Sequence, residues 1–500
     1  MSKPLILPSV FSSNMVLQRD VPLPVWGWGE PGCKVAVTID RQSIDTTAGP
    51  DGAWRVTLDP MKAGGPLEMT IRAGEEVRTL ANIAVGDVWL CSGQSNMEMT
   101  LQLSRSGADE VAAADHPGIR LTTIPRSIAV RPLARTDGWW EVCAPQFASG
   151  FSGVGYFFGR ALHKELGVPI GLINASWGGS CAEAWTPIEA LRADPDLAPI
   201  LRRREQMLAE REKAYDNYLE ALTPEGIAKL RAEVARARAE GVAPAPLLAP
   251  SAVLGDFTLP CCLFNAIINP LIPFAIRGAI WYQGESNVDR AYQYRQLFPA
   301  VIQGWRDAWG QDDFAFLWVQ LANYMASAQD PGESTWAELR EAQSMALSLP
   351  NTGEAVAIDV GEANDIHPTN KQDVGLRLSL AARAVSYGQR IVHSGPVYRS
   401  MTIEDDHVKV HFDHVGGGLV ARGGGPLKGF AVAGRDRRFV WAEAQVVRDA
   451  VVVSSPSVAR PAAVRYGWAD NPVCNLHNAE GLPACPFRTD DWPGITEGNV

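Results

Sequence analysis

The chain has 500 residues, 46% hydrophobic and 20% charged, which fits a globular protein with room for two or three domains. Its formal charge of −11 argues against nucleic acid or an anionic membrane as the main partner and suits a neutral substrate. No apolar run approaches the roughly 20 residues of a membrane span.

The opening Met1-Ser2-Lys3-Pro4-Leu5-Ile6-Leu7-Pro8 lacks the apolar core and cleavage site of a signal peptide. A cytoplasmic location is expected for the chain as written, with a periplasmic or secreted one open if the N-terminus was trimmed. From residue 5 to about 85, short β-rich runs dominate, among them 35–39 and 54–58, and Gly49-Pro50-Asp51-Gly52 is a turn signal between strands. Residues 1–84 are expected to form a β-sandwich-like module.

From 85 the rhythm changes to strand then helix. Apolar strand candidates fall at 88–91, 170–175, 278–282, 314–320 and 355–359, with helical patterns at 156–166, 292–309, 336–349 and 372–386. Fully apolar strands alternating with helices imply an α/β domain over 85–392, its parallel sheet covered on both faces. A charged stretch at about 200–242, rich in Arg, Glu and Ala, interrupts it. Its period is helical, Thr223-Pro224-Glu225 starts a second helix, and a solvated αα-hairpin is favoured over a lid or oligomer contact. A Pro/Ala stretch follows at 241–250. Residues 393–500 return to β patterns, with the alternating run His407-Val408-Lys409-Val410-His411-Phe412 and glycine triplets at 416–418 and 423–425.

Eight cysteines are too few for a disulfide scaffold in a chain of this length. Cys91 and Cys181 read as small buried hydrophobes, whereas Cys474 and Cys485 are candidates to pair. The histidines at 407, 411 and 414 fit a solvent-facing strand and its turn better than a metal site, and no cofactor or metal is expected.

Four apolar runs end in clusters of small polar residues. The first is Gly93-Gln94-Ser95-Asn96, after an apolar run that reads as a buried strand. The second is Asn174-Ala175-Ser176-Trp177-Gly178-Gly179-Ser180, whose glycine pair leaves N–H groups open to a ligand. The third is Trp281-Tyr282-Gln283-Gly284-Glu285-Ser286-Asn287, and the fourth is Asp365-Ile366-His367-Pro368. Taken singly, each has a plain structural explanation: an N-cap, a glycine turn, a carboxylate satisfying backbone N–H groups, a polar loop stopped by proline. Together they bring a serine, a histidine and a carboxylate toward one sheet edge, the parts of a nucleophilic hydrolase. There is no G-x-S-x-G elbow, Walker loop or HExxH sequence.

These four blocks, in this order, resemble the signature blocks of the sialate O-acetylesterase-like branch of the SGNH hydrolases. The opening (Asn14-Met15-Val16-Leu17-Gln18-Arg19, then Pro24-Val25-Trp26-Gly27-Trp28) and the ending (Asn478-Ala479-Glu480-Gly481-Leu482-Pro483) resemble it too. The resemblance implies a three-layer α/β/α catalytic domain and a serine esterase that removes acetyl groups from carbohydrates through an acetyl-enzyme intermediate. It implies Ser95 as nucleophile, His367 as general base and Asp365 as the acid. The Ser95 backbone N–H, Gly178 or Gly179, and Gln283 would form the oxyanion hole, with Gln94, Asn96 and Glu285 in support. The superfamily's acid usually lies three residues before the histidine; here that position is Asn364, so Glu285 and Asp359 stay open as substitutes. Trp177 and Trp281 are candidates to contact sugar. Acetylated xylo-oligosaccharide or other hemicellulose, or O-acetyl sialic acid, are the substrates implied. A general esterase or lipase of the superfamily and an inactive carbohydrate-binding protein are the alternatives.

Overall fold

A computed structural model of the chain describes residues 4–240 and 256–500. Its organising element is the strand Glu76–Gly93. The first half pairs antiparallel with Gly64–Ala73 of the N-terminal β module. The second half is flanked by two parallel partners, Ile170–Ser176 and Gly278–Tyr282. Position 84–85, the expected module boundary, therefore lies inside one uninterrupted strand.

Across the α/β sheet the order is Thr352–Ala355, Ala315–Val319, Gly278–Tyr282, Glu76–Gly93, Ile170–Ser176, His116–Thr123 and Glu141–Cys143. Neighbours pair parallel except the last two. From Glu76–Gly93 the chain builds one side of the sheet, then crosses over to build the other. The carboxyl end of that strand is thus the point where strand order reverses, where open sheets form a crevice.

The period of two sorts strand side chains onto two faces. Trp89, Cys91, Leu172, Ile280 and Leu317 meet Tyr156, Phe158, Leu378 and Ala381 from the helices Gly153–Leu166 and Lys371–Val385. Leu90, Ile173, Trp281, Phe316 and Trp318 meet Phe298, Ile302, Trp305 and Leu339 from Ala291–Trp309 and Thr335–Met345. Each fully buried side chain of this size contributes roughly 1.5–3 kcal/mol, and the result is an α/β/α sandwich. The helix ends follow local chemistry. Ser152 and Ser334 cap two N-termini through their hydroxyls, and Gly167 and Gly310 take the left-handed conformation at two C-termini.

Two expected elements differ. The strand expected at 355–359 ends at Ala355. Arg377 takes the Val356 carbonyl at 2.6 Å and both oxygens of Asp359 at 2.6 and 2.9 Å, drawing this backbone out of the ladder. The helix expected at 336–349 ends at Met345, and one 3₁₀ turn, Ala346–Ser348, precedes Pro350.

The charged stretch forms the helices Ala198–Ala221 and Pro224–Glu240, mostly solvent-exposed, with the Thr223 hydroxyl accepting from the Gly226 N–H at 3.1 Å. The stretch 241–250 lies outside the described residues. The C-terminal β region packs its own core around Val410, Phe412, Val451 and Tyr466. It docks on the α/β domain through the buried Arg340, which donates to the carbonyls of Leu321 and Ala322 on one side and Ala469 and Asp470 on the other. Cys474 and Cys485 are not paired; both are free thiols, and Cys485 instead sits among Gln320, Ser344 and Glu354. Among the described residues, no helix is long and apolar enough to cross a membrane.

Candidate active site

Ser95 opens the short helix Ser95–Glu98 directly after the central strand. Gly93 makes the turn possible. Its φ is +131°, and a β-carbon there would lie 2.2 Å from the Tyr282 carbonyl oxygen. As the first helical residue, Ser95 has an N–H with no partner inside its helix.

His367 arrives on the loop before the helix Lys371–Val385. Glu362 ties that loop by accepting from the Thr369 N–H at 2.8 Å and its hydroxyl at 2.9 Å. Asn96 ties it again, donating to the Ile366 carbonyl at 2.9 Å. His367 Nε2 thereby lies 2.9 Å from Ser95 Oγ, across 272 residues of chain. Asp365 accepts from the His367 N–H at 2.8 Å, and the same oxygen is 3.5 Å from His367 Nδ1.

The other two carboxylates are committed elsewhere. Asp359 is gripped by Arg377, with Arg422 at 2.5 Å and His477 at 3.5 Å. Burial pushes its carboxyl up, but His477 and Arg377 outweigh that and hold it well below the usual carboxylate range. Glu285 is half-buried beneath the site and accepts from Asn96 Nδ2 at 2.7 Å, and the enclosure of its carboxyl raises its pKa.

Gly178 lies against Ser95, since a β-carbon on it would be 3.3 Å from the serine's own. Its N–H donates to the Glu98 carboxylate, which also pairs with Arg126. Gly179, at φ +74°, faces Phe257. Gln283 sits differently from the expectation. It is fully buried, its amide hydrogens go to the Ser180 carbonyl at 3.2 Å and Asn287 Oδ1 at 2.7 Å, and its oxygen accepts from the Tyr294 hydroxyl at 2.9 Å. That amide binds one loop to another rather than facing the serine. Gln94 does similar work, accepting from the N–H groups of Gly284 and Ser286 at 3.4 and 3.3 Å.

The tryptophans divide. Trp177 is half-buried, stacks on Phe257 with ring centroids 5.3 Å apart, and carries the Arg126 guanidinium over its ring. Trp281 is fully buried against Trp185, Phe298 and Trp305, so it is a core residue and not a sugar contact. Ser95, Glu98, Arg126, Trp177, Gly178, Asp365 and His367 line a common cavity of about 590 Å³.

Four residues that sequence reasoning passed over shape this site: Glu98, Arg126, Glu183 and Lys371. Glu98 and Lys371 stand close to the motif blocks, and their nearness in chain was the available signal. Arg126 comes from a stretch without a pattern. Glu183 is 1% exposed and anchors the Trp177 loop. It accepts from Arg203 at 2.6 Å, Arg290 at 2.7 Å and Asn287 at 2.9 Å. Burial raises its carboxyl, but Arg290 and Arg203 outweigh this and leave it below its ordinary value.

A family model described as carbohydrate esterase, sialic acid-specific acetylesterase, matches residues 264–386. The crystal structure of a carbohydrate acetylesterase from Xanthomonas citri is 40% identical and superposes with a TM-score of 0.83 over 98% of this chain and 100% of that one. Fold and site together define an SGNH-type carbohydrate esterase. The sialate O-acetylesterase of Rattus norvegicus is 31% identical over 96% of this chain and 93% of its own length, and that of Homo sapiens 29% over 97% and 93%. The chain belongs to the sialate O-acetylesterase family.

Proposed function

We propose that this protein hydrolyses O-acetyl esters of carbohydrates through an acetyl-enzyme on Ser95. The observation that carries the reading is the 2.9 Å contact between Ser95 Oγ and His367 Nε2 on the wall of the cavity. His367 takes the serine proton as Oγ bonds to the acetyl carbonyl carbon. The carbonyl π electrons move to oxygen, and the N–H groups of Ser95 and Gly178 receive that oxyanion. Gly178 becomes available when the acyl oxygen displaces Glu98, which keeps Arg126 as its partner. The C–O bond to the sugar then breaks, and His367 returns the proton to the departing oxygen. Water repeats the cycle on the acetyl-serine, with His367 as base, and acetate leaves. The Asp365 carboxylate accepts from the His367 backbone N–H and faces Nδ1, favouring the tautomer that leaves Nε2 free to accept.

Trp177, which lines the cavity, is the aromatic side chain placed to meet a sugar. A neutral acetylated xylo-oligosaccharide, or another hemicellulose fragment, suits this cavity better than an anionic sialic acid. Arg126 is already paired with Glu98, and Asp365 adds a further negative charge at the lining.

The test is acetate release from a panel of acetylated xylan fragments and O-acetyl sialic acids, run beside Ser95→Ala. Release from the wild type with preference for neutral esters, lost in the variant, is expected. No release from any member, or equal release by Ser95→Ala, overturns the enzyme reading; a preference for sialic acids overturns only the substrate.

A further inference from the structure

Directly beneath Ser95 and His367 lies a chain of largely enclosed side chains, with half-buried Glu285 at one end. Asn96 is at its centre, 1% exposed, between Glu285 and Lys371, and Lys371 is 0% exposed. Lys371 Nζ donates to Asn96 Oδ1 at 2.6 Å. The Asn96 amide hydrogens go to Glu285 Oε1 at 2.7 Å and to the Ile366 carbonyl at 2.9 Å. The lysine also lies 5.3 Å from the centre of the Tyr282 ring, and the second oxygen of Glu285 is buried without a hydrogen-bond partner among the described residues.

An ammonium only donates, and an ionised carboxylate only accepts. Set on either side of an amide, they dictate which way it faces: oxygen toward the lysine, nitrogen toward the glutamate. The remaining amide hydrogen then points at Ile366, the residue before His367. Removing a lysine and a carboxylate from water is costly unless each finds a partner, so the arrangement persists only where geometry is tightly held. Burial pulls Lys371 down to about 7, against Glu285, Glu362 and Asp365, which act to raise it. The same burial raises the pKa of Glu285.

We propose that Lys371 and Glu285 are positioning residues which, acting together on Asn96, hold the His367 loop so that Nε2 stays within hydrogen-bond reach of Ser95. This rests on the esterase reading, and Ser95→Ala in the same assay separates the two. If Ser95→Ala stays active, that reading fails; if it is dead while the variants below behave like wild type, only this inference fails.

The experiment uses the full chain and p-nitrophenyl acetate as probe, with kcat taken per folded molecule. Lys371→Met removes the amine and keeps the stem. It should lower kcat about 10- to 100-fold with KM within about threefold, because a displaced base loses rate rather than binding. Glu285→Gln keeps an acceptor for Asn96 and should retain kcat within about threefold, whereas Glu285→Leu should fall like Lys371→Met. Wild-type kcat in Lys371→Met, or equal losses in the two Glu285 variants, would overturn the proposal. Should Lys371→Met not fold, the two Glu285 variants decide alone.

Discussion

On the rim of the cavity the polar groups meet water: the side chains of His367, Arg126 and Asp365 are 42%, 51% and 57% exposed. On the floor beneath, Asn96, Gln283 and Lys371 are at most 1% exposed, and their hydrogen bonds go to named protein groups. In the proposed mechanism the rim receives the substrate and exchanges the proton, so its groups must stay accessible. Held only by themselves, such exposed contacts would be soft. The floor supplies the rigidity, since each polar group there would be expensive to leave unpaired. In that reading reactivity and precision are separated by depth, although the four short blocks supply residues to both.

Substitutions can break this division. The largest effect is expected on the rim: His367→Ala should lower acetate release by about 10⁴-fold or more while Tm is kept. A variant with a tenth of the activity left would mean that another base serves Ser95. Next comes the buried anchor of the Trp177 loop. Glu183→Ala strands Arg203 and Arg290 and should cost roughly 3–5 kcal/mol in urea unfolding. The same carboxyl sets a pH dependence. Its folded pKa is depressed, so its stabilising increment is complete above about pH 5, where the unfolded chain's glutamate is ionised, and fades as acid lowers the pH through the folded value. Glu183→Gln should flatten that acid limb; an unchanged limb would mean the ion pairs do not set it.

Gln283→Ala distinguishes floor from rim most sharply. It should cost about 1–3 kcal/mol of stability by leaving the Tyr294 hydroxyl without its acceptor and the Ser180 carbonyl and Asn287 Oδ1 without this donor, with kcat per folded molecule little changed. A 10²–10³-fold loss of kcat with Tm intact would instead identify its amide as an oxyanion donor. The smallest effect is expected for Asp365→Asn, about tenfold in kcat, because its carboxylate is largely solvated and 3.5 Å from Nδ1. A loss near that of His367→Ala would show that the exposed acid does far more than this geometry implies.

Much of this architecture was legible in the chain. The strand 278–282 was read with the bounds it has in the fold, because a fully apolar run between turn signals has few alternatives. The strand at 355–359 was misjudged because buried Arg377 withdraws its backbone, and no local pattern announces that. Trp177 and Trp281 could not be told apart either. Trp177 follows one apolar strand and Trp281 lies near the end of another, and in strands covered on both faces alternation carries no sign of which side chain reaches the crevice. Gln283 and Asp359 show the same limit. Each follows an apolar run that reads as a strand, and what commits them elsewhere, Tyr294 and Asn287 for one, Arg422 and His477 for the other, is set by tertiary folding. The Ser95–His367 contact was approachable only because both residues sit in recognisable blocks.

The most direct measurement is mass mapping after reaction with a small fluorophosphonate, which bonds covalently to an activated serine. The account predicts one adduct per chain, on Ser95, absent in Ser95→Ala and formed about 100-fold or more slowly in His367→Ala. Stoichiometric labelling of a different serine, or unchanged labelling of Ser95→Ala, would contradict it.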